Sequence, residues 1–332
     1  MPIEISSSER NRLRERINDV TGRHSRRLRL HVSAQDPMDI LRGDVFRLAG
    51  RDYLIRGNMK EPRFGLEDQI KYWVFRAIDL ESGETKILKT VFEEEFNVHI
   101  SLLKIRCYRS PEKESGVLDL THGDDRFMQG FTVHDENGEN VRVIDFIPGQ
   151  SLFAGIPNPN QSHLEYYEQD LPHVLAKLYP CLLAIEHLHD HDLCHGDIRN
   201  DHILIESHSH VFRWIDFDLK QDIHDFDLWS LGNVLNYVVA KGIVSFKAVQ
   251  RGDGFPAGAA DDLRQEDGSA FYPYRIMNLR KVYPYIGPTL EKMFLHFTLR
   301  PKAFYADMRQ FIFDFEDVLV EEFGVEPPQA VE

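Results

Sequence analysis

The chain contains the segment His195-Gly196-Asp197-Ile198-Arg199-Asn200-Asp201-His202-Ile203-Leu204-Ile205, followed by Trp214-Ile215-Asp216-Phe217-Asp218. Aliphatic runs at 203–205 and 211–215 predict the two strands of a hairpin, with a polar turn at 206–210. One carboxylate precedes the first strand and the other follows the second, so the hairpin would bring Asp197 and Asp216 to the same end. Two converging carboxylates suit phosphoryl transfer, in which one orients the attacking hydroxyl and the other holds a divalent metal against the phosphates.

Three short motifs around this segment resemble the protein-kinase-like superfamily. His195-x-Asp197 is similar to the catalytic-loop His-Arg-Asp, Asp216-Phe217-Asp218 to the metal-binding Asp-Phe-Gly, and Asp227-Leu228-Trp229-Ser230-Leu231-Gly232 to the start of the large buried helix. The resemblance covers roughly residues 44 to 320. His-Gly-Asp and Ile-Asp-Phe-Asp also resemble aminoglycoside phosphotransferases, and the His at position 202 resembles lipopolysaccharide-core kinases.

The resemblance implies an α+β, bilobal, protein-kinase-like fold, with a small antiparallel β-sheet lobe and a larger, mainly helical lobe. We expect a basic N-terminal arm or helix at 1–43, an N-lobe at 44–148, a C-lobe at 149–322 and a disordered tail at 323–332. Leu13, Ile17 and Val20 recur at helical spacing, which favours a short amphipathic helix in the first segment.

Composition limits the classes of function. The 332 residues carry a net charge of −15, but residues 1–32 hold eight arginines against four carboxylates, so the rest of the chain is more acidic still. An acidic body argues against nucleic-acid binding, whereas the basic segment could dock an acidic partner. The apolar runs are too short to span a membrane, and three cysteines without metal or disulfide spacing suggest a reducing cytoplasm.

The resemblance assigns nucleotide-binding roles to the N-lobe. Strands at 72–78 and 85–90 place Lys89 where the family's ATP-anchoring lysine lies, and a helix is predicted from about residue 91 to 103. Glu95, narrowly favoured over Glu94, would pair with Lys89. Gly65 is the better candidate of two glycines for the phosphate loop. Backbone groups of Asp145 to Ile147 would contact adenine, with Ile144 as gatekeeper.

The C-lobe would carry the chemistry. By resemblance, Asp197 orients the acceptor hydroxyl, Arg199 offsets charge on the γ-phosphate, and Asp216 holds Mg²⁺ or Mn²⁺, with His202 as a further metal ligand. The cosubstrate would be ATP. A competing interpretation leaves His202 hydrogen-bonded within the loop, away from any metal. Asp227 is expected to be buried and to brace the catalytic-loop backbone.

Departures from the kinase pattern leave two classes of phosphate acceptor possible, a protein or a small molecule. Only eleven positions separate Asp216 from Asp227, with no Ala-Pro-Glu triplet between them, so the segment that seats peptide substrates in protein kinases is nearly absent. The interpretation favoured by the motifs is an atypical serine/threonine protein kinase. The alternatives are a pseudokinase, which binds nucleotide or a partner without turnover, and a small-molecule kinase of aminoglycoside-phosphotransferase type.

Overall fold

A computed structural model describes residues 2–23, 28–61, 69–100, 103–221, 223, 226–252, 254–256 and 258–328. The chain divides into two compact units. The first comprises 1–94, 109–124 and 128–147, and the second comprises 95–108, 125–127 and 148–332. The lobes expected from the sequence are contiguous stretches, whereas these units interleave along the chain. After Ile147 the chain leaves the first unit for the last time, and all later residues belong to the second unit.

The strands are β1 (Leu30–His31), β2 (Val45–Leu48), β3 (Arg51–Glu61), β4 (Gln69–Asp79), β5 (Thr85–Lys89), β6 (Glu95–Ile100), β7 (Leu103–Arg109), β8 (Gly130–His134), β9 (Asn140–Asp145), β10 (Gly149–Ser151), β11 (Ile203–Glu206), β12 (Phe212–Trp214) and β13 (Leu219–Gln221). The α-helices are α1 (Ser7–Thr21), α2 (Pro111–Leu120), α3 (Leu152–Gly155), α4 (His163–Gln169), α5 (Leu171–His189), α6 (Phe226–Val239), α7 (Phe246–Arg251), α8 (Pro288–Leu295) and α9 (Met308–Asp317). Short 3₁₀ turns lie at Pro37–Asp39, Gln265–Asp267 and Leu279–Lys281, and a π-helical turn at Val318–Glu322 follows α9.

The first unit is built on a sheet with strand order β1-β2-β3-β4-β5-β9-β8. Its pairs are antiparallel except for β1 with β2. Helix α1 begins at an N-cap, Ser6, and buries Leu13 and Ile17 in a cluster with Leu30, Val45 and other apolar residues. The helical spacing predicted for this segment is therefore present, and burial of its apolar stripe holds the helix to the unit.

The helix predicted from about residue 91 to 103 is wrong, because the chain there forms β6 and β7. Glu95 pairs with Tyr108 across the two strands, and its carboxylate accepts two hydrogen bonds of 2.8 Å from Arg106. In β7, Ile105 and Cys107 are buried whereas Lys104 and Arg106 are exposed, which is the period of a strand. The two strands join β13 in the sheet β13-β7-β6.

The second unit is mainly helical, with the predicted hairpin at its centre. Strand β11 pairs antiparallel with β12 in the register Ile203↔Trp214, and with β10 on its other side. Helices α5 and α6 are largely buried, and α5 continues through Pro180 without the break that a proline favours. The prediction of an α+β fold with a sheet-based unit and a larger, mainly helical unit is confirmed. No helix in the described ranges is both long and apolar enough to cross a bilayer.

His163, at the start of α4, ties three parts of the second unit together. Its ring stacks on Tyr283 with 3.6 Å between centroids and lies 2.8 Å from both the Val239 carbonyl and the Tyr285 hydroxyl. Burial, reinforced by the nearby charge of Lys241, lowers the pKa of His163 to about 4. The neutral ring suits this site, because one nitrogen can donate to the carbonyl while the other accepts from the hydroxyl.

We expect this histidine to make the folded state less stable in acid. Its folded pKa lies below the unfolded value, so the unfolded chain binds more protons and the free energy of unfolding falls as the pH drops from about 6.5 to about 4. The loss in the free energy of unfolding is at most about 3 kcal/mol, and it is smaller where solvent screens the ring.

Urea unfolding of the wild type and of His163→Phe at pH 7.5 and 4.5 measures this loss: the variant should lose less stability than the wild type. His208→Asn, at an exposed turn residue, should keep the wild-type dependence. An unchanged dependence in His163→Phe would contradict this assignment.

Candidate functional site

A buried carboxylate anchors the loop that carries Asp197. Asp227, in the first turn of α6, has no exposed surface and accepts backbone N–H donors from His195 (2.7 Å) and Gly196 (2.8 Å). His189, at the end of α5, lies 3.1 Å from the same carboxylate. The predicted bracing role of Asp227 is therefore confirmed. Gly196 has a φ of +86°, a region that glycine adopts far more readily than other residues, which explains a glycine at this position.

Aromatic packing holds the other side of this loop. The fully buried ring of His195 lies edge-on to Trp214 (4.8 Å between centroids) and against Phe217 (4.5 Å). The Asp197 N–H donates to His195 Nδ1 at 3.2 Å. Strand β12 supplies Trp214, and the residues just after it supply Asp216 and Phe217. The hairpin therefore fixes the loop and the second carboxylate together.

The His202 ring lies between the two carboxylates that the sequence singled out. Its Nδ1 lies 3.6 Å from Asp197 Oδ2, and its Nε2 lies 3.5 Å from Asp216 Oδ2. The hairpin thus brings Asp197 and Asp216 to one place, as predicted. Asp216 has a φ of +69°, which is uncommon outside glycine and is characteristic of residues constrained at functional sites.

The hydrogen bonding of His202 determines which of its atoms faces Asp216. Its Nδ1 lies 2.7 Å from the Asp197 backbone carbonyl, which can only accept, so Nδ1 carries the proton. In the neutral ring, Nε2 then presents a lone pair toward the Asp216 carboxylate.

Arg199 is held by a neighbour on the same loop. Its guanidinium contacts the Asp201 carboxylate through Nε at 3.0 Å and Nη2 at 2.5 Å, while Nη1 lies 3.9 Å from Asp197 Oδ2. Burial would raise the pKa of Asp201, but the charges of His202 and Arg199 and the hydrogen bond from Arg199 together lower it. Asp201 therefore stays ionised and orients Arg199 beside Asp197, where it also offsets part of the guanidinium charge.

In the first unit, Lys89 belongs to a buried cluster of three charges. Its Nζ donates to Glu114 Oε1 at 2.9 Å, and Arg142 donates through Nε to Glu114 Oε2 at 3.0 Å. All three side chains are at most 5% exposed. Arg142 also donates to the Thr90 carbonyl. Burying ions costs more than packing apolar side chains of similar size. A buried cluster of charged side chains is therefore better explained by the need to hold Lys89 in a fixed position than by a gain in stability.

The predicted pairing of Glu95 with Lys89 is wrong: Glu114, on α2, is the partner. Glu95 lies on β6 with its side chain 54% exposed, and it pairs with Arg106. The sequence carried a signal for α2 that was missed. Ser110 caps the helix and Pro111 occupies its first turn, a common pattern at helix starts. The sequence gives no signal for the role of Arg142, because strand periodicity does not show which buried group an arginine meets.

The predicted adenine contacts fall at the end of β9. The Asp145 N–H donates to the Gln129 carbonyl at 2.8 Å, and the Asp145 carboxylate accepts from Lys86 at 2.7 Å. That backbone N–H is thus already used within the first unit. Ile144 is buried. Gly65, predicted for the phosphate loop, lies outside the described residues.

The chain was compared with known families, curated proteins and solved structures. No protein-family model matches it, and no curated protein matches it. The kinase domain of Mycobacterium tuberculosis PknI, solved as a point mutant, is similar in structure at 12% identity and a TM-score of 0.49, over 84% of this chain and 99% of that chain. The Cydia pomonella granulovirus kinase PK-1 is similar at 12% identity and a TM-score of 0.47, over 78% and 92%. At this identity no residue role passes from either structure to this chain.

The choice between Glu114 and Glu95 can be tested through stability. Glu114→Gln removes the buried charge that both Lys89 and Arg142 contact, so we expect the free energy of unfolding to fall by roughly 3 kcal/mol. Glu95→Gln removes an exposed ion pair and should leave the free energy of unfolding close to the wild-type value. Urea unfolding at pH 7 measures both. Equal losses, or a larger loss for Glu95→Gln, would contradict the assignment.

Proposed function

We propose that this protein is an ATP-dependent phosphotransferase, an atypical serine/threonine protein kinase that transfers the γ-phosphate of ATP to a hydroxyl. The observation that carries the proposal is the placement of His202 between Asp197 and Asp216, on a loop held by Asp227. The buried Lys89–Glu114–Arg142 cluster supports it, because a lysine held by a carboxylate is suited to bind nucleotide phosphates.

We propose that Asp216 and His202 contribute two ligands to a divalent metal. Asp216 offers a carboxylate oxygen, and the His202 Nε2 lone pair faces it at 3.5 Å. Carboxylate oxygens suit Mg²⁺, whereas an imidazole nitrogen favours softer ions, so the pair favours Mn²⁺ more than an all-oxygen site would. When bound, such an ion would neutralise charge on the phosphates and orient them for transfer.

In the proposed reaction, Asp197 accepts a hydrogen bond from the acceptor hydroxyl and aligns its oxygen with the γ-phosphorus. That oxygen bonds to phosphorus, the bond from phosphorus to the β–γ bridging oxygen breaks, and ADP leaves with the bond's electron pair. The hydroxyl proton passes to Asp197 as the new bond forms. Arg199 stabilises charge near Asp197. Positioning and electrostatics supply most of the catalysis in such a site.

A nucleotide-binding module without turnover is the second candidate. Two observations favour it. His202 occupies the position at which most protein kinases have an asparagine that binds the second metal ion. Asp201 offsets the charge of Arg199. Asp197 remains beside Arg199, and its backbone is held on both sides of the loop. We therefore favour the active enzyme.

Single-turnover transfer from labelled ATP tests the proposal. With Mg²⁺ or Mn²⁺ and a panel of serine/threonine proteins and small hydroxyl compounds, the wild type should transfer phosphate to protein. Asp197→Ala should lower the rate constant by about 10²–10⁴-fold, because it removes the group that accepts the proton. Asp216→Ala should abolish metal-dependent transfer. Asp262→Ala, at an exposed carboxylate of the same unit, should act like the wild type.

The other outcomes distinguish the alternatives. ATP binding with no transfer in the wild type, unchanged by Asp197→Ala, would replace the proposal with the pseudokinase. Transfer to small hydroxyl compounds, with none to protein, would select a kinase of aminoglycoside-phosphotransferase type. Wild-type rates in both Asp197→Ala and Asp216→Ala would exclude this site as the origin of the activity.

A further inference from the structure

An aromatic group in the second unit adjoins the loop that carries Asp197. The Phe153 N–H donates to the Asn200 carbonyl at 3.0 Å, so Phe153 is fixed directly to that loop. The Phe153 carbonyl accepts from the Tyr237 hydroxyl at 2.7 Å, and the two rings stack at 5.4 Å. The Phe153 side chain is 46% exposed. The loop is therefore bordered by an apolar ring that solvent can reach.

Helix α6 connects this group to the segment 269–276. Asn236, next to Tyr237, donates to the Ile276 carbonyl at 3.1 Å. Arg275 precedes Ile276, and its guanidinium lies over the Tyr272 ring at 4.3 Å and near Tyr274 at 5.7 Å. The segment is rigid at its base, since the Ser269 N–H donates to the Arg275 carbonyl and the Arg275 N–H donates to the Tyr272 carbonyl.

The pKa of Tyr272 reflects both its burial and the charges around it. Burial raises the pKa of Tyr272; Arg275 and Arg199 oppose this rise, and Asp197 adds to it. Arg275 also acts on Tyr237, where burial raises the pKa to about 12 and the arginine charge opposes the rise. The charges of the loop and of Arg275 therefore act on the same aromatic group.

Two buried polar atoms in this group have no hydrogen-bond partner within the described part of the chain: Arg275 Nε and Asn200 Oδ1. Buried polar atoms are nearly always paired. Arg275 also forms no ion pair with a carboxylate of the described residues, although the chain as a whole is strongly acidic. A guanidinium held by aromatic rings and not neutralised by a carboxylate is suited to bind an anionic group through charge-assisted hydrogen bonds from its Nη nitrogens.

We propose that Arg275 and Tyr272 form the acceptor subsite, and that this subsite selects serine or threonine peptides with an acidic residue near the hydroxyl. The inference rests on the proposed phosphotransferase function and names its substrate class. The acceptor hydroxyl would meet Asp197, the peptide's carboxylate would meet Arg275, and Phe153 and Tyr272 would contact its apolar parts. The role of seating the peptide would thus belong to the segment 269–275, in a chain whose segment after Asp216 is short.

An extended acceptor fits the exposure of these residues. Phe153 and Tyr274 are 46% and 53% exposed, so the aromatic border opens to solvent. Small ligands are usually bound in concave pockets that bury most of their surface. A peptide instead lies along an open surface and is anchored by a few aromatic and arginine contacts. One discrete cation is also enough for selectivity, because the acidic body around it disfavours nonspecific binding of anions.

Paired peptides test the subsite. Each pair is identical except for Glu or Gln placed one to four residues from a single serine. The full chain is assayed for kcat/KM with ATP and Mn²⁺, and separately for Kd by fluorescence anisotropy with ADP and Mn²⁺.

At the distance between glutamate and serine that gives the largest effect, the wild type should prefer the Glu peptide over the Gln peptide by about tenfold or more in both assays. Arg275→Met should reduce the preference to near one, and Arg275→Lys should restore part of it. Arg251→Met, at an exposed arginine at the end of α7, should keep the preference.

The two assays separate the possible failures. Transfer to Glu and Gln peptides alike, or a preference that survives Arg275→Met, would overturn the subsite and leave the proposed function standing. Charge-selective binding lost in Arg275→Met, without transfer by the wild type, would support the subsite and refute the proposed function. Binding of small hydroxy acids at Arg275, with no binding of either peptide, would overturn the peptide assignment.

Discussion

The buried carboxylate of Asp227 is the constraint on which the candidate site depends. It holds the His195 and Gly196 amides, and hydrogen bonds to a charged group contribute about 1.5–3 kcal/mol each. A buried charge must be compensated, so separating α6 from the loop would remove two of the donors that compensate Asp227. The loop then holds Asp197 and His202 in place, and the hairpin brings Asp216 to the same ring.

Each unit holds its charged groups in a similar way, through buried carboxylates bound by more than one donor. In the first unit Glu114 binds both Lys89 and Arg142. In the second, Asp227 binds two amides, and its neighbour His189 lies on a different helix. Such clusters add little net stability, because desolvation offsets the attraction between the charges. Their value lies in fixing where a lysine or a catalytic loop stands, which is what positioning catalysis requires.

The sequence was most informative where the spacing of residues is local. The β11–β12 hairpin and the approach of Asp197 to Asp216 follow from runs within about twenty residues, in which turn geometry fixes the register. The Asp227 brace was expected only from the resemblance to protein kinases. The partner of Lys89 was missed because the pairing is long-range: Glu114 lies 25 positions from Lys89, whereas the two glutamates considered, Glu94 and Glu95, lie before and within β6. No role was predicted for Arg142 or Arg275 for the same reason, because the role of such an arginine depends on the residues that contact it in the folded protein.

The most direct test is a crystal of the full chain with Mn²⁺ and a non-hydrolysable ATP analogue, with the metal located by its anomalous scattering. The account predicts a manganese peak at coordination distance from both the Asp216 carboxylate and His202 Nε2. A nucleotide bound without metal at Asp216, or manganese coordinated by other residues while Asp216 and His202 contact only each other, would contradict it.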